Sequence, residues 1–291
     1  MKPTPRPVDP LVGSDSALAA TTQSSSAVRR HAGKKLTSAR SKLSDRDTRA
    51  DAIGQAAPFS AWPRSVLVSL AEASSVTGHR PGACLIFAGQ PCNTITVIAE
   101  GTVISSVSSP GGRQVTFKID DSPFAYGLAP LVDGLALHHD LIADRPVTVI
   151  RIPHAAIRAE LTRMPLLWES IAVEATRRGR GFATQLQQFV LDAPMVRAAS
   201  ILLGLLAKSE SQGHGGPVAI GFGLPQERLA EMLGISRQWT TVLVRELTKA
   251  GLIEWRYGRV TVLDVQGLRS LSAKGVNVMD PSSKNVTRPS T

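Results

Sequence analysis

Two short amphipathic segments that meet at a glycine constrain the fold of this chain more than any other feature. They lie in residues 224–253, which read LPQERLAEMLGISRQWTTVLVRELTKAGLI. Pro225 suits the first turn of one helix, Gly234 permits a sharp turn, and Ser236 is a good N-cap for a second helix. Residues at helical spacing form the predicted inward face of that second helix: Thr240, Leu243, Val244 and Leu247. The pattern predicts a helix-turn-helix.

The side chains that follow the turn have the chemistry of a major-groove reader. A recognition helix points its N-terminal residues at base edges, where Arg237 can donate two hydrogen bonds to guanine and Gln238 can pair with adenine. Thr241 and Val242 can meet a thymine methyl group. The predicted DNA contacts are Ser236, Arg237, Gln238, Thr241, Val242, Arg245, Arg256 and Arg259.

A basic hairpin after the second helix strengthens this interpretation. The segment IEWRYGRVTVLD contains two short β runs joined at Tyr257-Gly258, and it therefore predicts a small wing. Its Arg256 and Arg259, together with Arg245, are placed to contact phosphates. An amphipathic helix pair with a solvated polar face is the simpler alternative. The turn glycine, the N-cap, the Arg-Gln pair and the basic wing together favour DNA binding.

Residues 58–160 carry short β-rich runs separated by glycines. The runs are residues 84–87, 94–99, 102–107, 114–119 and 147–152. Pro110-Gly111-Gly112 between two of them is a strong turn signal, and strands at this spacing indicate a small antiparallel β-barrel or jelly roll. A short helix at residues 59–75 precedes the runs. Residues 164–190 read as one long helix, whose apolar stripe needs a partner surface.

The chain is thus predicted to be an α+β protein in five parts. They are a disordered basic arm (1–57), a β-barrel sensor domain (58–160), a long helix (161–191), a winged helix-turn-helix domain (192–272) and a flexible tail (273–291). The net charge of +10 suggests a polyanionic partner. Half of that excess lies in the arm, to which we assign no function.

Several classes of protein are disfavoured by the composition. No apolar run approaches the ~20 residues of a membrane span, and the N-terminus has no apolar signal region, so a cytoplasmic protein without a membrane partner is expected. Cys84 and Cys92 cannot supply a disulfide framework or a four-thiolate iron–sulfur cluster. No nucleophile–base pair, metal-ligand cluster or phosphate loop occurs at a credible spacing, so an enzyme is not expected.

These segments resemble the Crp/Fnr superfamily of bacterial transcription regulators. Residues 224–264 are similar to its winged helix-turn-helix, and RPGACLIFAGQPCNTITVIAEGTVISSVSSPGGRQVTF is similar to its cyclic-nucleotide-binding-like barrel. The resemblance runs from residue 58 to about residue 272. It implies a homodimer formed through the long helix, a double-stranded DNA operator that is pseudo-palindromic, and RNA polymerase as a further candidate partner.

The recognition helix departs from the family pattern in part. Arg237 matches the usual arginine at the start of that helix. Gln238 and Val242 stand where the family's cyclic-AMP receptor carries Glu and Arg. The operator is therefore expected to differ from that of the receptor.

The sensor departs further from the pattern, in the stretch FAYGLAPLVDGLALHHDLIAD. Tyr126-Gly127 replace the Gly-Glu pair that binds the ribose in cyclic-AMP binders, and no arginine lies between Arg113 and Arg145. Because a cyclic phosphate loses its strongest contact without a cationic partner, cyclic AMP is disfavoured as the effector. The candidate effector-pocket residues are Phe124, Tyr126, Gly127, His138 and His139.

Other effectors of the superfamily also fit poorly. Haem would need an axial ligand, and His79 and Cys84, which lie near the right region, are more often structural. Adjacent histidines on an extended segment point in opposite directions, so His138 and His139 are expected in a solvent-exposed loop rather than at a metal or an anionic ligand. The effector is unknown, and a constitutively competent dimer is a further alternative.

A function of another class stays open at this point. The barrel can act mainly as a ligand-binding or protein-docking module with a vestigial helix-turn-helix, which predicts that Arg237→Ala and Gln238→Ala leave function intact. The leading hypothesis is a dimeric DNA-binding regulator whose barrel signals through the long helix.

Overall fold

The computed structural model describes residues 41–111, 114–207, 217–220 and 223–275. The predicted arm up to residue 40, the loop at 208–216 and the tail beyond residue 275 lie outside the described residues. Gly112 and Arg113 of the predicted hairpin turn also lie outside them.

The described end of the arm is folded, and the prediction of disorder as far as residue 57 is wrong there. Helix α1 spans Arg46–Gln55, and its Ala50 and Ile53 are buried. Leu43, just before the helix, is buried as well. The buried face of α1 is narrow and most neighbouring residues are polar or charged. The sequence therefore shows no sustained helical pattern of apolar residues here.

A 3-10 turn at Phe59–Ala61 and helix α2, Arg64–Ala73, continue this N-terminal layer. Trp62 lies between them, and its indole N–H donates to Ser170 Oγ at 2.7 Å. The predicted short helix is therefore present, but it begins only after Pro63, because the residue before a proline is disfavoured in a helix.

The strands of the sensor region form two antiparallel sheets. Their bounds are β1 Ser75–His79, β2 Cys84–Ile86, β3 Thr94–Glu100, β4 Thr102–Ser108, β5 Gln114–Asp121, β6 Phe124–Tyr126, β7 Asp140–Ala143 and β8 Val147–Pro153. Sheet A has the strand order β1-β8-β3-β6, and sheet B has the order β2-β7-β4-β5. The sequence pattern missed β1, β6 and β7. Within the described residues, the strands make two four-stranded sheets and not one closed hydrogen-bonded barrel.

The sensor has apolar residues on both faces of sheet A. On one face, Ile98 and Val149 pack in a core shared with Val103 and Leu141 of sheet B. The opposite face, which includes Val97, packs on the N-terminal helices. Two further helices complete this layer, α3 Leu128–Asp133 and α4 His154–Arg163. Because successive side chains of a strand point to opposite faces, sheet A holds the two layers together.

One long helix, α5, spans Leu167–Leu191 after the sensor. Leu167 and Ile171 are buried and anchor its first turns. Farther along, large apolar side chains stay exposed: Val173, Phe182, Leu186, Phe189 and Val190. The predicted apolar stripe is therefore present and largely exposed in the single chain.

The C-terminal region, which we call the reading domain, follows α5. Its elements are α6 Pro194–Ala207, β9 Val218–Ala219, α7 Gln226–Leu233, α8 Arg237–Lys249, β10 Ile253–Arg256, β11 Arg259–Val262 and α9 Val265–Ser272. The strands pair in the order β10-β11-β9. The predicted inward face of α8 is confirmed, because Thr240, Leu243, Val244 and Leu247 are all buried. None of the helices that the structure describes is both long enough and apolar enough to cross a membrane.

Candidate DNA interface and effector cleft

The turn between α7 and α8 depends on Gly234. Its φ is 67°, a left-handed conformation that most side chains disfavour. Its N–H donates to the carbonyls of Ala230 and Glu231 and so closes the end of α7. A Cβ on Gly234 would also lie 2.8 Å from Phe189 Cζ. A glycine is therefore required here by both the backbone and the neighbouring ring.

Ser236 begins the second helix as the sequence predicts. Its backbone is extended, and its hydroxyl accepts a hydrogen bond from the Trp239 N–H at 3.3 Å. This bond satisfies one of the amide groups that a helix leaves without a partner in its first turn. The N-terminus of α8 is thereby fixed with its partial positive charge directed outward.

The predicted base-reading residues share the exposed side of α8. Arg237, Gln238, Thr241, Val242 and Arg245 are all exposed, opposite the buried face of the helix. The Thr241 hydroxyl donates toward both Gln226 Oε1 and the Arg237 carbonyl, each at 3.0 Å. The surface thus offers the guanidinium of Arg237 and the amide of Gln238 to a ligand.

The wing brings two more predicted residues together. Arg256 and Arg259 are paired across the β10–β11 hairpin, and both are exposed. Arg256 Nε lies 2.6 Å from Glu254 Oε1 at the surface. Tyr257 at the tip is fully exposed and has a φ of 49°. These arginines can reach phosphates, and surface ion pairs such as this one are weak enough to exchange.

The sequence reasoning passed over an exposed aromatic residue on α8. Trp239 is 65% exposed, although it lies in the first turn of the helix beside the base-reading residues. A large aromatic residue outside the apolar positions of an amphipathic helix is the signal that could have identified it.

The five candidate effector-pocket residues line a single cleft of about 740 Å³. They are Phe124, Tyr126, Gly127, His138 and His139. Strand β5 forms one wall through Lys118 and Asp120, and α5 forms another through Arg177 and Arg178. Clefts of this size hold small molecules in many proteins.

Tyr126 is at the centre of a polar network in the cleft. Its hydroxyl donates to Asp120 Oδ2 at 2.6 Å, and burial together with that carboxylate holds the pKa of Tyr126 well above its ordinary value. Lys118 Nζ lies 3.0 Å from the same oxygen. Lys118 Nζ and Arg178 Cζ lie 3.9 Å and 4.4 Å from the ring centroid of Phe124. The aromatic ring thus contacts two cations.

The expectation that this region lacks a cationic partner is wrong, because α5 supplies Arg177 and Arg178. Both arginines lie on α5, outside the stretch between Arg113 and Arg145 in which cyclic-AMP binders carry their phosphate-binding arginine. Both donate to the nearly buried Glu174, with distances of 2.6–2.8 Å. Burial raises the pKa of Glu174, but the arginine hydrogen bonds outweigh it and leave the pKa below its ordinary value.

His138 and His139 differ in their surroundings. His138 is exposed, as expected, but His139 is half-buried, and both of its ring nitrogens are buried without a hydrogen-bond partner among the described residues. Burial, then His138 and Lys118, lower the pKa of His139 to about 4. A neutral imidazole with an unpaired donor and acceptor therefore faces the cleft. Among the described residues, no group of three His, Cys, Asp or Glu side chains is placed to hold a metal.

The two cysteines are separate free thiols. Cys84 donates to the Ile86 carbonyl and Cys92 to the Thr94 carbonyl. Burial raises the pKa of both thiols. These contacts are those of packed cysteines and not of reactive thiolates.

Comparison with known proteins identifies the reading domain. Residues 196–271 match the model of the Crp-like helix-turn-helix domain. A CRP-like cAMP-activated global transcriptional regulator of Mycobacterium tuberculosis is 21% identical over 216 residues, which is 74% of this chain and 96% of that protein. The chain carries a Crp-like helix-turn-helix domain. It is thus a DNA-binding protein, and its relatives are regulators rather than enzymes.

Solved structures show a similar fold. FixK2 from Bradyrhizobium japonicum has a TM-score of 0.61 at 14% identity and covers 68% of this chain and 96% of its own. The c-di-GMP responsive global regulator CLP of Xanthomonas campestris has a TM-score of 0.60 at 15% identity, covering 69% of this chain and 100% of its own. The chain therefore shares the fold of these two proteins, over about two thirds of its length.

Proposed function

We propose that this regulator binds a pseudo-palindromic operator as a homodimer, with α8 in the major groove. The observation that carries the proposal is the two-sided character of α8, whose apolar face is buried in the reading domain while Arg237, Gln238 and Arg245 are exposed. Its N-terminal turn is capped and carries the side chains with base-reading chemistry.

In this proposal the residues of α8 have separate roles. Arg237 donates to guanine O6 and N7, and Gln238 pairs with adenine. Thr241 and Val242 present methyl groups to thymine. Ser236 and Arg245 lie beside the base-contacting residues and contact DNA phosphates. The wing arginines Arg256 and Arg259 contact the phosphate backbone farther from the bases.

The exposed stripe of α5 supports a homodimer. Phe182, Leu186 and Val190 recur along one helix and leave large apolar surfaces in water. A second copy of the same helix buries such a stripe against itself. A two-fold dimer then places its recognition helices about one DNA turn apart, ~34 Å.

The cleft is the proposed effector site. Arg178 Nη2 and both ring nitrogens of His139 are buried there without partners among the described residues, so a bound molecule can supply acceptors and a donor. Phe124 and Phe182 add apolar surface. We therefore favour a small anionic effector with an apolar body. Cyclic AMP stays disfavoured, because Tyr126 and Gly127 replace the ribose-binding pair. RNA polymerase is a further candidate partner in this proposal, and a bacterial cytoplasm is its proposed setting.

Selection of duplex DNA from a random library by the full-length protein tests the DNA-binding half. We expect enrichment of an inverted repeat whose half-sites are one helical turn apart. Arg237→Ala should lose that enrichment while keeping weak non-specific binding. If Arg237→Ala and Gln238→Ala retain the wild-type sequence preference, the helix-turn-helix is vestigial and the proposal fails.

Mass spectrometry of small molecules retained by the native protein tests the effector half. We expect an anionic ligand that is released by Arg178→Ala, with Arg163→Ala as a control outside the cleft. Equal retention by both variants would place the ligand elsewhere.

A further inference from the structure

Helix α8 exposes two large apolar side chains, Trp239 and Val242. Trp239 is 65% exposed and Val242 is 46% exposed. The other apolar residues of this helix are all buried: Leu243, Val244 and Leu247. Every further exposed residue of α8 is polar or charged. Isolated apolar residues are common at protein surfaces, so the question is whether these two belong together.

The two side chains are neighbours on the helix surface. They are three residues apart, a spacing at which the Cβ atoms of a helix lie about 5–6 Å from each other. Side chains of a helix lean toward its N-terminus, so Val242 leans over the turn that carries Trp239. The backbone of Trp239 is fixed in the first turn, because its N–H donates to Ser236 Oγ. We call Trp239 and Val242 the apolar patch.

The apolar patch is continuous with the base-reading surface. Gln238 lies one residue before the patch begins and four residues before its end, so its amide is a direct neighbour. Arg237 and Arg245 are exposed on the same helix, and the capped N-terminus adds a partial positive charge. Glu246, the acidic residue of α8, is paired with Lys249 near the far end. The patch is therefore surrounded by groups that favour DNA as the molecule that covers it.

The major groove offers one apolar group that fits such a patch. Thymine carries its 5-methyl group on the major-groove edge, whereas cytosine presents an amino group and no methyl. The edges of guanine and adenine present hydrogen-bonding groups, which an indole and a valine would remove from water without replacing their partners. An apolar patch at the base edges therefore selects thymine over the other three bases.

The position of Gln238 indicates where that thymine lies. In the proposed function Gln238 pairs with adenine, and the thymine of the same base pair presents its methyl group at the same edge of the groove. Val242 is one helical turn farther along the same side of α8. The methyl group is therefore expected in the base pair that Gln238 reads or in one directly beside it.

We propose that Trp239 and Val242 select a thymine in each half-site by enclosing its 5-methyl group. This contact rests on the proposed function, in which α8 is the recognition helix, and it adds Trp239 to the residues that determine the operator sequence. Val242 forms one wall of the contact. The indole of Trp239 forms the other wall and excludes water from the methyl group.

Replacement of single thymines by deoxyuridine in the selected operator tests the contact, because it deletes the 5-methyl group and leaves base pairing intact. For the full-length wild type, we expect one thymine of each half-site at which the replacement raises the Kd about fourfold, since burial of one methyl group contributes on that scale. Replacement in both half-sites should raise the Kd about fifteenfold, because the two sites are independent. Deoxyuridine at the remaining thymines should have little effect.

Trp239→Ala should remove this discrimination, so that the variant binds the thymine operator and the deoxyuridine operator equally. Trp239→Phe keeps an aromatic wall and should retain most of the discrimination. Lys249→Ala is the control on the same helix and should discriminate as the wild type does. Val242→Ala reduces the patch from its other side. If Trp239→Ala does not fold, a loss of discrimination in Val242→Ala supports the contact and full discrimination overturns it.

Two results overturn the contact even if operator selection succeeds. One is the absence of any thymine at which deoxyuridine raises the Kd of the wild type. The other is a deoxyuridine effect that is equally large in the wild type and in Trp239→Ala, with wild-type thermal unfolding. That second result would place the indole on the sugar–phosphate backbone or against another protein.

7-Deazaguanine, which lacks the N7 acceptor, separates this contact from the proposed role of Arg237. If 7-deazaguanine raises the Kd at the guanine of each half-site but deoxyuridine has no effect at any thymine, the methyl contact fails and the proposed function stands. If only deoxyuridine has an effect, and that effect depends on Trp239, the methyl contact stands and Arg237 loses its guanine. Enrichment of no sequence at all overturns both, because a reader of methyl groups has to enrich thymine.

Discussion

The ring of Phe189, near the end of α5, lies against the backbone of Gly234 in the turn before α8. Arg197 reinforces this junction by donating to the Phe189 carbonyl at 2.6 Å and to the Leu233 carbonyl at 2.9 Å. The guanidinium of Arg197 also lies over the Phe189 ring, 4.8 Å from its centroid. The turn that orients the recognition helix is therefore also a contact of the long helix.

Gly234→Ala should destabilise the protein. The left-handed backbone disfavours a side chain by about 1–3 kcal/mol, and the Phe189 ring has to move. Urea unfolding measures the loss. Gly204→Ala is the control, because Gly204 lies in α6 with no atom within 4 Å of its added Cβ, and it should stabilise the chain by about 0.5–1 kcal/mol. Equal unfolding free energies for the two variants would contradict the role of the turn.

Ser236→Ala should lower the free energy of unfolding by about 1 kcal/mol, because the Trp239 N–H loses the hydroxyl that caps α8. Ser236→Thr keeps an N-cap hydroxyl and should recover most of the loss. Chemical denaturation of both variants measures the difference. A Ser236→Thr variant as unstable as Ser236→Ala would show that the cap is not what the serine contributes.

Arg237→Ala should weaken binding to the selected operator by about 1–3 kcal/mol and relax the preference at one base pair of each half-site. Competition between the operator and single-base variants of it measures both effects. A loss of affinity that is equal for every sequence would instead assign Arg237 to the phosphate backbone.

Arg245→Ala should weaken binding almost uniformly across sequences and reduce the slope of log K against log salt by about 1. Titrations at several salt concentrations measure the slope. Lys249→Ala is the control on the same helix, because Lys249 lies at its far end beside Glu246. The assignment fails if both variants keep the wild-type slope.

His139 should make stability fall in mild acid. Its pKa is lowered from 6.5 to about 4 in the folded protein, so between these values the unfolded chain binds the proton and the folded chain does not. The contribution of His139 to the free energy of unfolding is therefore fully present above pH 6.5, and it is lost as the pH falls toward 4. The loss should be about 1 kcal/mol, discounted because the ring is partly exposed.

Unfolding free energies at pH 7.5 and pH 4.5 test this prediction. His139→Gln removes the titrating group and should show a smaller decrease than the wild type. His138→Gln removes one of the groups that lower the pKa of His139, so its decrease should lie between those of His139→Gln and the wild type. Equal decreases in all three proteins would show that His139 is protonated at pH 4.5 in the folded protein as well as in the unfolded chain, so that its pKa is not lowered by folding.

The features that the sequence predicts well are those set by local chemistry. The turn conformation predicts Gly234, helix capping predicts Ser236, and the helical period predicts the buried face of α8. Each of these signals involves only a few neighbouring residues. Strands of three to five residues, such as β6 and β7, leave too short a pattern to be seen. Helix α1 went unrecognised because two buried residues among many charges make no amphipathic signal.

The cleft and the interface between domains depend on contacts between distant parts of the chain. Arg177 and Arg178 reach the cleft from α5, so a search near Tyr126 in the sequence does not find them. The contact of Thr116 with Glu231 joins residues 115 positions apart. Such pairings follow from how the elements pack, which a local pattern does not specify.

Strand β5, which forms a wall of the cleft, bulges at Phe117, and this has a consequence for how such a regulator can evolve. A one-residue insertion or deletion within β5 would exchange its two faces, turning Lys118 toward the reading domain and Ile119 toward the cleft. Along β5, the chemistry of the cleft can therefore change by substitution but not by a change in length, and each substitution is also constrained by the packing of Thr116 and Ile119 on the reading domain.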